Sequence, residues 1–283
     1  MNSLHFIYQI IPTIFPWDCM QSQFMQKALV ALLLLAPMVS AMGVQVVNFR
    51  MAFFSDAISH SAFAGLALGI LLNVHPHTSM PLFAVLVGLV IMYMQRQSRL
   101  SSDTIIGVFF SAVIAFGLAV VSRNQSISRN MQQFLYGDIL TIQDRDIYSL
   151  IMLFIGLLIF QIVSYNKMLY IGLNPTLAHA HKVKVARYQY IFAALLSLIV
   201  IFSVWAVGVF LVTALMIIPA ATARNVAKSA GTMFWWAIFL SLVSTISGLI
   251  LSAQPWARTA TGATIVLISF VFFIISQIFN RIR

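Results

Sequence analysis

The sequence predicts an all-α integral membrane protein, a polytopic helical bundle of eight to nine transmembrane helices with a short cytoplasmic helix between two of them. Three observations predict it. Of 283 residues, 61% are hydrophobic and 8% charged, with no Glu at all, which leaves too few polar groups to coat a soluble domain. Apolar windows recur along the whole chain, each near the roughly 20 residues that cross a hydrocarbon core as a helix. The 16 Lys and Arg residues fall in the short gaps between those windows. That spacing gives the formal charge of +10 no basic patch or stripe, so it reads as membrane orientation and excludes nucleic-acid binding.

Residues 1–25 stand apart as an interfacial extension, with 26–283 forming the transmembrane domain. The first Lys or Arg is Lys27, so the start of the chain lacks the positive region of a signal peptide and is expected to be retained. Phe6, Tyr8, Phe15 and Trp17, interrupted by Pro12 and Pro16, suit a segment lying at headgroup level rather than a span. Spans are then expected at 26–47, 52–72, 79–95, 103–122, 147–165, 188–205, 206–222, 232–252 and 259–279. Only Trp205 to Gly208 separates the pair from 188 to 222, so eight is the alternative count.

Placing the N-terminus outside puts Arg50, Arg96, Arg99, Lys167, Lys182, Lys184, Arg187, Arg224, Lys228, Arg281 and Arg283 on the cytoplasmic side. Lys27, Arg123, Arg129, Arg145 and Arg258 remain outside, with Asp18, Asp138, Asp144 and Asp146. The cation asymmetry favours this orientation. Two loops are long enough to hold structure. The outer one, 123–146, contains Phe134 to Leu140 and suits a half-helix dipping back toward the membrane. In the inner one, 166–187, Asn174 before Pro175 makes an N-cap and first-turn pair, predicting a helix over about 175–182.

Asp56 and His60 carry the chemistry. They lie four residues apart in the second span, hence on one helix face. A carboxylate near the membrane midplane costs roughly 2.5–3.5 kcal/mol on the insertion scale, so it needs a cation, a proton or water as partner. Carboxylate oxygen with imidazole nitrogen is a ligand set for a divalent transition metal; a hydrogen-bonded packing pair is the plainer alternative. Ala57, Ser61, Gly65 and Gly69 form a ridge of small residues one step around, which lets another helix approach and turns the polar face into protein or a water-filled path. Pro219, if helical, frees the Leu215 carbonyl and bends its span. His75 and His77 flank Pro76 in an outer loop and His179 and His181 sit in the inner one, where solvated histidines are the ordinary case. The lone Cys19 excludes an intrachain disulfide, the lack of Glu excludes the zinc-protease helix motif, and no Walker phosphate loop is present, so any ATP hydrolysis belongs to another chain.

Three ordered segments resemble the zinc/manganese-type ABC transporter permeases. Ser55 to His60 with Gly65 is similar to that family's second-helix signature, Val207 to Arg224 to its most recognisable block, and Asn174 to Arg187 to the inner loop carrying its coupling helix. Tyr136 to Leu140 resembles a weaker outer element. The resemblance covers most of residues 25–280 and implies a transport subunit rather than an enzyme, a multi-pass protein of the bacterial cytoplasmic (inner) membrane. It implies a homodimer, an ATPase subunit on the cytoplasmic face that uses the ATP, and a metal-loaded extracytoplasmic binding protein. No permanently bound cofactor is expected. The transported ion is zinc, or else manganese or iron, and Asp56 and His60 are its transient ligands. A two-fold axis would double that pair to the four ligands of a tetrahedral zinc site. The chain departs from the family pattern in its longer N-terminal extension and in Pro175 and Thr176, where an acidic pair is common. Two alternatives stand beside this reading: a proton-coupled secondary metal transporter, and an ABC permease for a larger cobalamin- or siderophore-type ligand.

Overall fold

A computed structural model describes residues 3–122, 139 and 142–282. In chain order the helices are α1 (Ser3–Ile14), α2 (Gln23–Asn48), α3 (Phe54–Leu71), α4 (Pro76–Gln97), α5 (Ser102–Val121), α6 (Asp144–Leu173), α7 (Pro175–Ala180), α8 (Val185–Val207), α9 (Val209–Val226), α10 (Ala230–Ser252) and α11 (Thr261–Ile282), with a 3₁₀ turn at Asp18–Gln21. Among the described residues nine helices, all but α1 and α7, are long and apolar enough to span a membrane. Each coincides with an expected window, and the higher count holds. The expected half-helix within 123–146 and the Tyr136 to Leu140 element lie almost entirely outside the described residues.

The spans run antiparallel in sequence order, so α7 marks one end of the bundle. α2 and α3 are its interior, 72% buried over their most apolar stretches, against 22% for α5 and α11. Close helix approach explains how α2 gets there. A Cβ on Gly43 would strike the Met216 carbonyl of α9, so the two backbones meet where only hydrogen fits. The small ridge of α3 works the same way: Gly65 lies against Met80 and Phe83 of α4, and Gly69 against Ser79.

α6 overshoots its expected window. The expected span ends at residue 165, yet the helix continues to Leu173 through Asn166 and Lys167. Lys167 has a local partner: its ammonium donates to the Tyr188 hydroxyl at 2.7 Å and lies 5.0 Å from that ring's centroid.

The N-terminal segment is a helix held to the bundle by its polar side chains. Tyr8, 5% exposed, donates its hydroxyl to Asp144 Oδ1 at 3.0 Å, and Lys27 Nζ reaches the same oxygen at 2.9 Å. Burial first, then the Asp144 carboxylate, push the Tyr8 phenol well above the ordinary tyrosine range. The phenol therefore stays a hydrogen-bond donor at any physiological pH. Trp17, just beyond the helix, is exposed.

A candidate cation site on α3

α3 starts inside the bundle. Its first turn, at Phe54 and Ile58, packs against Gly88 of α4, where a Cβ would lie 3.3 and 3.4 Å from those side chains. α4 runs on for the nine residues from there to Gln97, about 13 Å at helical rise. The turn that leads in is tight: Arg50 takes φ 55, in the left-handed region. Asp56 thus occupies the first turn of a helix that begins at depth. A carboxylate in the first turn lies near the positive end of the helix dipole, worth about 0.3–1 kcal/mol at a surface and more when partly buried. This offsets part of the cost of a carboxylate within the membrane.

Asp56 and His60 are both half-buried, and the backbone connects them. His60 Nδ1 lies 2.9 Å from the Asp56 carbonyl oxygen. A carbonyl only accepts, so Nδ1 carries the proton and, in the neutral ring, the lone pair sits on Nε2. Metal-ligating histidines are held this way, the second nitrogen donating to a carbonyl or carboxylate. Aromatic rings fix the imidazole from two sides: Phe63 at 5.9 Å and Phe110 of α5 at 5.0 Å between centroids, both edge to face. The Asp56 side chain is held across helices. Thr213 of α9 donates its hydroxyl to Asp56 Oδ1 at 2.9 Å, with its own Val209 carbonyl as a second acceptor at 3.2 Å. The second carboxylate oxygen has lone pairs to offer a cation. Beside the pair, the Ser55 and Ser59 hydroxyls are buried and have no hydrogen-bond partner.

The expected pair is therefore brought into one place, and the structure adds Thr213. That threonine stands five residues beyond a backbone break, Gly208 with φ 86 and ψ 162, a conformation that L side chains rarely adopt. Six residues further, Pro219 is accommodated inside α9. The other histidines lie elsewhere. His75 is the N-cap of α4 and accepts weakly, at 3.4 Å, from the His77 N–H, and Pro76 opens the helix, so His77 belongs to a first turn rather than a loop. The His77 ring packs edge to face on Trp205 at 4.5 Å. His181 stacks on Tyr170 at 5.4 Å. Among the described residues no three His, Cys, Asp or Glu side chains gather into a metal site, and Asp56 and His60 are the two candidate ligands on α3.

At the α7 end the cap read from sequence is present: Asn174 Oδ1 accepts from Thr176 N at 2.8 Å and Leu177 N at 3.4 Å. The helix closes two residues earlier than expected, because His181 leaves the helical region and Lys182 takes φ 57. α7 turns Ala178 inward, 0% exposed, and leaves Leu177 46% exposed.

Comparison with known proteins gives a consistent picture. The ABC 3 transport family matches residues 21–280. The high-affinity zinc uptake system membrane protein ZnuB of Haemophilus influenzae is 33% identical over 261 residues, covering 90% of this chain and 97% of its own. The manganese import system permease protein ScaB of Streptococcus gordonii is 32% identical over 255 residues, covering 89% and 90%. Among solved structures, PsaBC from Streptococcus pneumoniae in complex with Fab superposes with a TM-score of 0.76 at 27% identity, over 95% of each chain.

Proposed function

The chain belongs to the ABC 3 transport family, and from that membership we propose that it is the membrane-spanning permease of an importer that carries a divalent transition-metal ion into the cytoplasm. Zinc is the first candidate and manganese the second, with iron after them. Relatives named for zinc and for manganese support a metal cargo. Asp56 and His60 are its transient ligands on the translocation path. Residues 26–283 are the permease domain and 1–25 an interfacial extension. The protein is a transport subunit rather than an enzyme, placed in the bacterial inner membrane. It works as a homodimer with a cytoplasmic ATPase subunit that consumes the ATP and an extracytoplasmic metal-binding protein.

One observation carries the choice of residues: the Nδ1 bond of His60 to the Asp56 carbonyl, which leaves Nε2 as a ligand lone pair one helical turn from a carboxylate oxygen. A metal crossing the membrane must shed water, and these two atoms replace part of its shell without adding a net positive charge to the path. A second copy related by a two-fold axis supplies the remaining two ligands of a tetrahedral set. Such a site is whole only while the two copies hold it closed, which lets the ion leave. The family argues against a proton-coupled secondary carrier, in which Asp56 and His60 would relay protons and no ATPase would be needed.

The test is uptake of radiolabelled zinc and manganese into vesicles holding the assembled transporter. Asp56→Ala and His60→Ala should each abolish uptake with insertion and dimerisation intact, since removing a charge does not hinder insertion. Normal transport by either variant removes that residue from the path.

A further inference from the structure

α10 and α11 are joined at one end and splayed at the other. Away from α7, Ile265 packs directly on Gly248, and the Ser252 and Thr261 hydroxyls meet at 3.0 Å. Toward the α7 end the two helices part over the last turns of α9 and leave a groove of about 640 Å³. Trp236 and Leu240 form one wall, Phe272 and Phe279 the other. Among the lining residues the Asn225 amide donates to the Ser276 hydroxyl at 3.0 Å, and the Thr222 hydroxyl donates to the Ile218 carbonyl at 2.8 Å.

Exposed cations neighbour the lining residues in sequence. Arg224 adjoins Asn225 in the last turn of α9, Lys228 follows it, and Arg281 adjoins the lining residue Asn280 in the last turn of α11; all three are exposed. The chain has no Asp or Glu after Asp146, so no acidic side chain in this half of the sequence neutralises them. Trp235, 69% exposed, stands with Trp236 at the start of α10, the level at which indoles mark the membrane–water boundary.

We propose that this groove binds an anionic phospholipid, one acyl chain in the slot and the phosphate among Arg224, Lys228 and Arg281. Basic rims between transmembrane helices on the cytoplasmic side select anionic headgroups, and this rim sits on the basic end of the bundle. A neutral lipid fills the slot and leaves three cations uncompensated. An acidic soluble partner answers the cations but has no use for an apolar slot between two transmembrane helices. The inference stands on the groove and its charges and is independent of the cargo.

Native mass spectrometry of the full-length chain in its purified assembly tests it, after reconstitution in phosphatidylglycerol or in phosphatidylcholine and release into mild detergent. One phosphatidylglycerol per chain should be retained, and no phosphatidylcholine. Arg281→Gln should weaken retention about fivefold, the effect of one cation at an anionic surface. Ile275→Trp, filling the slot from an exposed lining position, should abolish it with the size-exclusion profile unchanged. Three results overturn the proposal: phosphatidylglycerol retained as before in Ile275→Trp, which makes it lipid gathered loosely around charged ends; equal retention of both lipids; or no retained lipid with Phe279→Cys forming a disulfide between two copies, which makes the groove a protein interface.

Discussion

Thr213→Val isolates the bond that ties the candidate site to α9. Valine keeps the shape of threonine and removes only the hydroxyl that donates to Asp56 Oδ1 at 2.9 Å. A hydrogen bond to a charged group contributes about 1.5–3 kcal/mol. The lower figure applies here, because the single hydroxyl proton has a second acceptor in the Val209 carbonyl at 3.2 Å, and part of the donor's value is available there when Asp56 turns to a cation. At 1.4 kcal/mol per decade the loss is about tenfold. It should appear in the initial rate of metal uptake at low metal concentration, measured in vesicles with matched amounts of the assembled transporter, because an Asp56 without its anchor meets the ion in the wrong rotamer. Thr213→Ser should behave as the parent. Uptake by the valine variant within twofold of the parent would refute the reasoning. So would a serine variant as impaired as the valine one, which would assign the role to the methyl group and to packing.

Leu177→Asp should abolish copurification of the ATPase subunit while α7 persists, because the buried contact of that helix is made by Ala178; unchanged copurification would leave α7 without a docking role. Gly43→Leu forces a side chain into the Met216 carbonyl, and overpacking of this kind costs about 1–3 kcal/mol or more. A markedly lower Tm of the purified protein is expected, and an unchanged one would mean that α2 and α9 separate freely. Tyr8→Phe deletes a donor to the Asp144 carboxylate, about 1.5–3 kcal/mol. Hydrogen exchange across 3–14 should accelerate at unchanged transport, and unaltered protection would show that the helix is held by its apolar contacts alone.

The spans were legible because lipid leaves a long helix no other way to satisfy its backbone, and even the narrow break at Gly208 falls within the Trp205 to Gly208 gap that the sequence marks. Helix ends were less legible. The extension of α6 past residue 165 was hidden because the partner of Lys167, Tyr188, belongs to the next span. The site was half visible. Asp56 and His60 are neighbours on one helix, which periodicity reveals. Thr213 is 157 residues from Asp56, and a threonine in an apolar helix more often bonds its own preceding turn, as this one also does. The Tyr8 contact was hidden for the same reason, since its acceptor lies 136 residues away. That α3 begins at depth could not be read at all, because hydropathy measures the length of an apolar run and not the level at which its neighbours cross it.

α6 has 30 residues, about 45 Å of unbroken helix against a hydrocarbon core about 30 Å thick. Tilt takes up a few ångströms, and the remainder extends through the headgroup layers, which bring the whole bilayer to about 40–45 Å. α7 is therefore held at the level of one membrane surface by a strut of about the full bilayer thickness. The other end of the same strut is Asp144, gripped by Lys27 and Tyr8. One unbroken helix thus ties α7 at one face of the bundle to the N-terminal helix at the other.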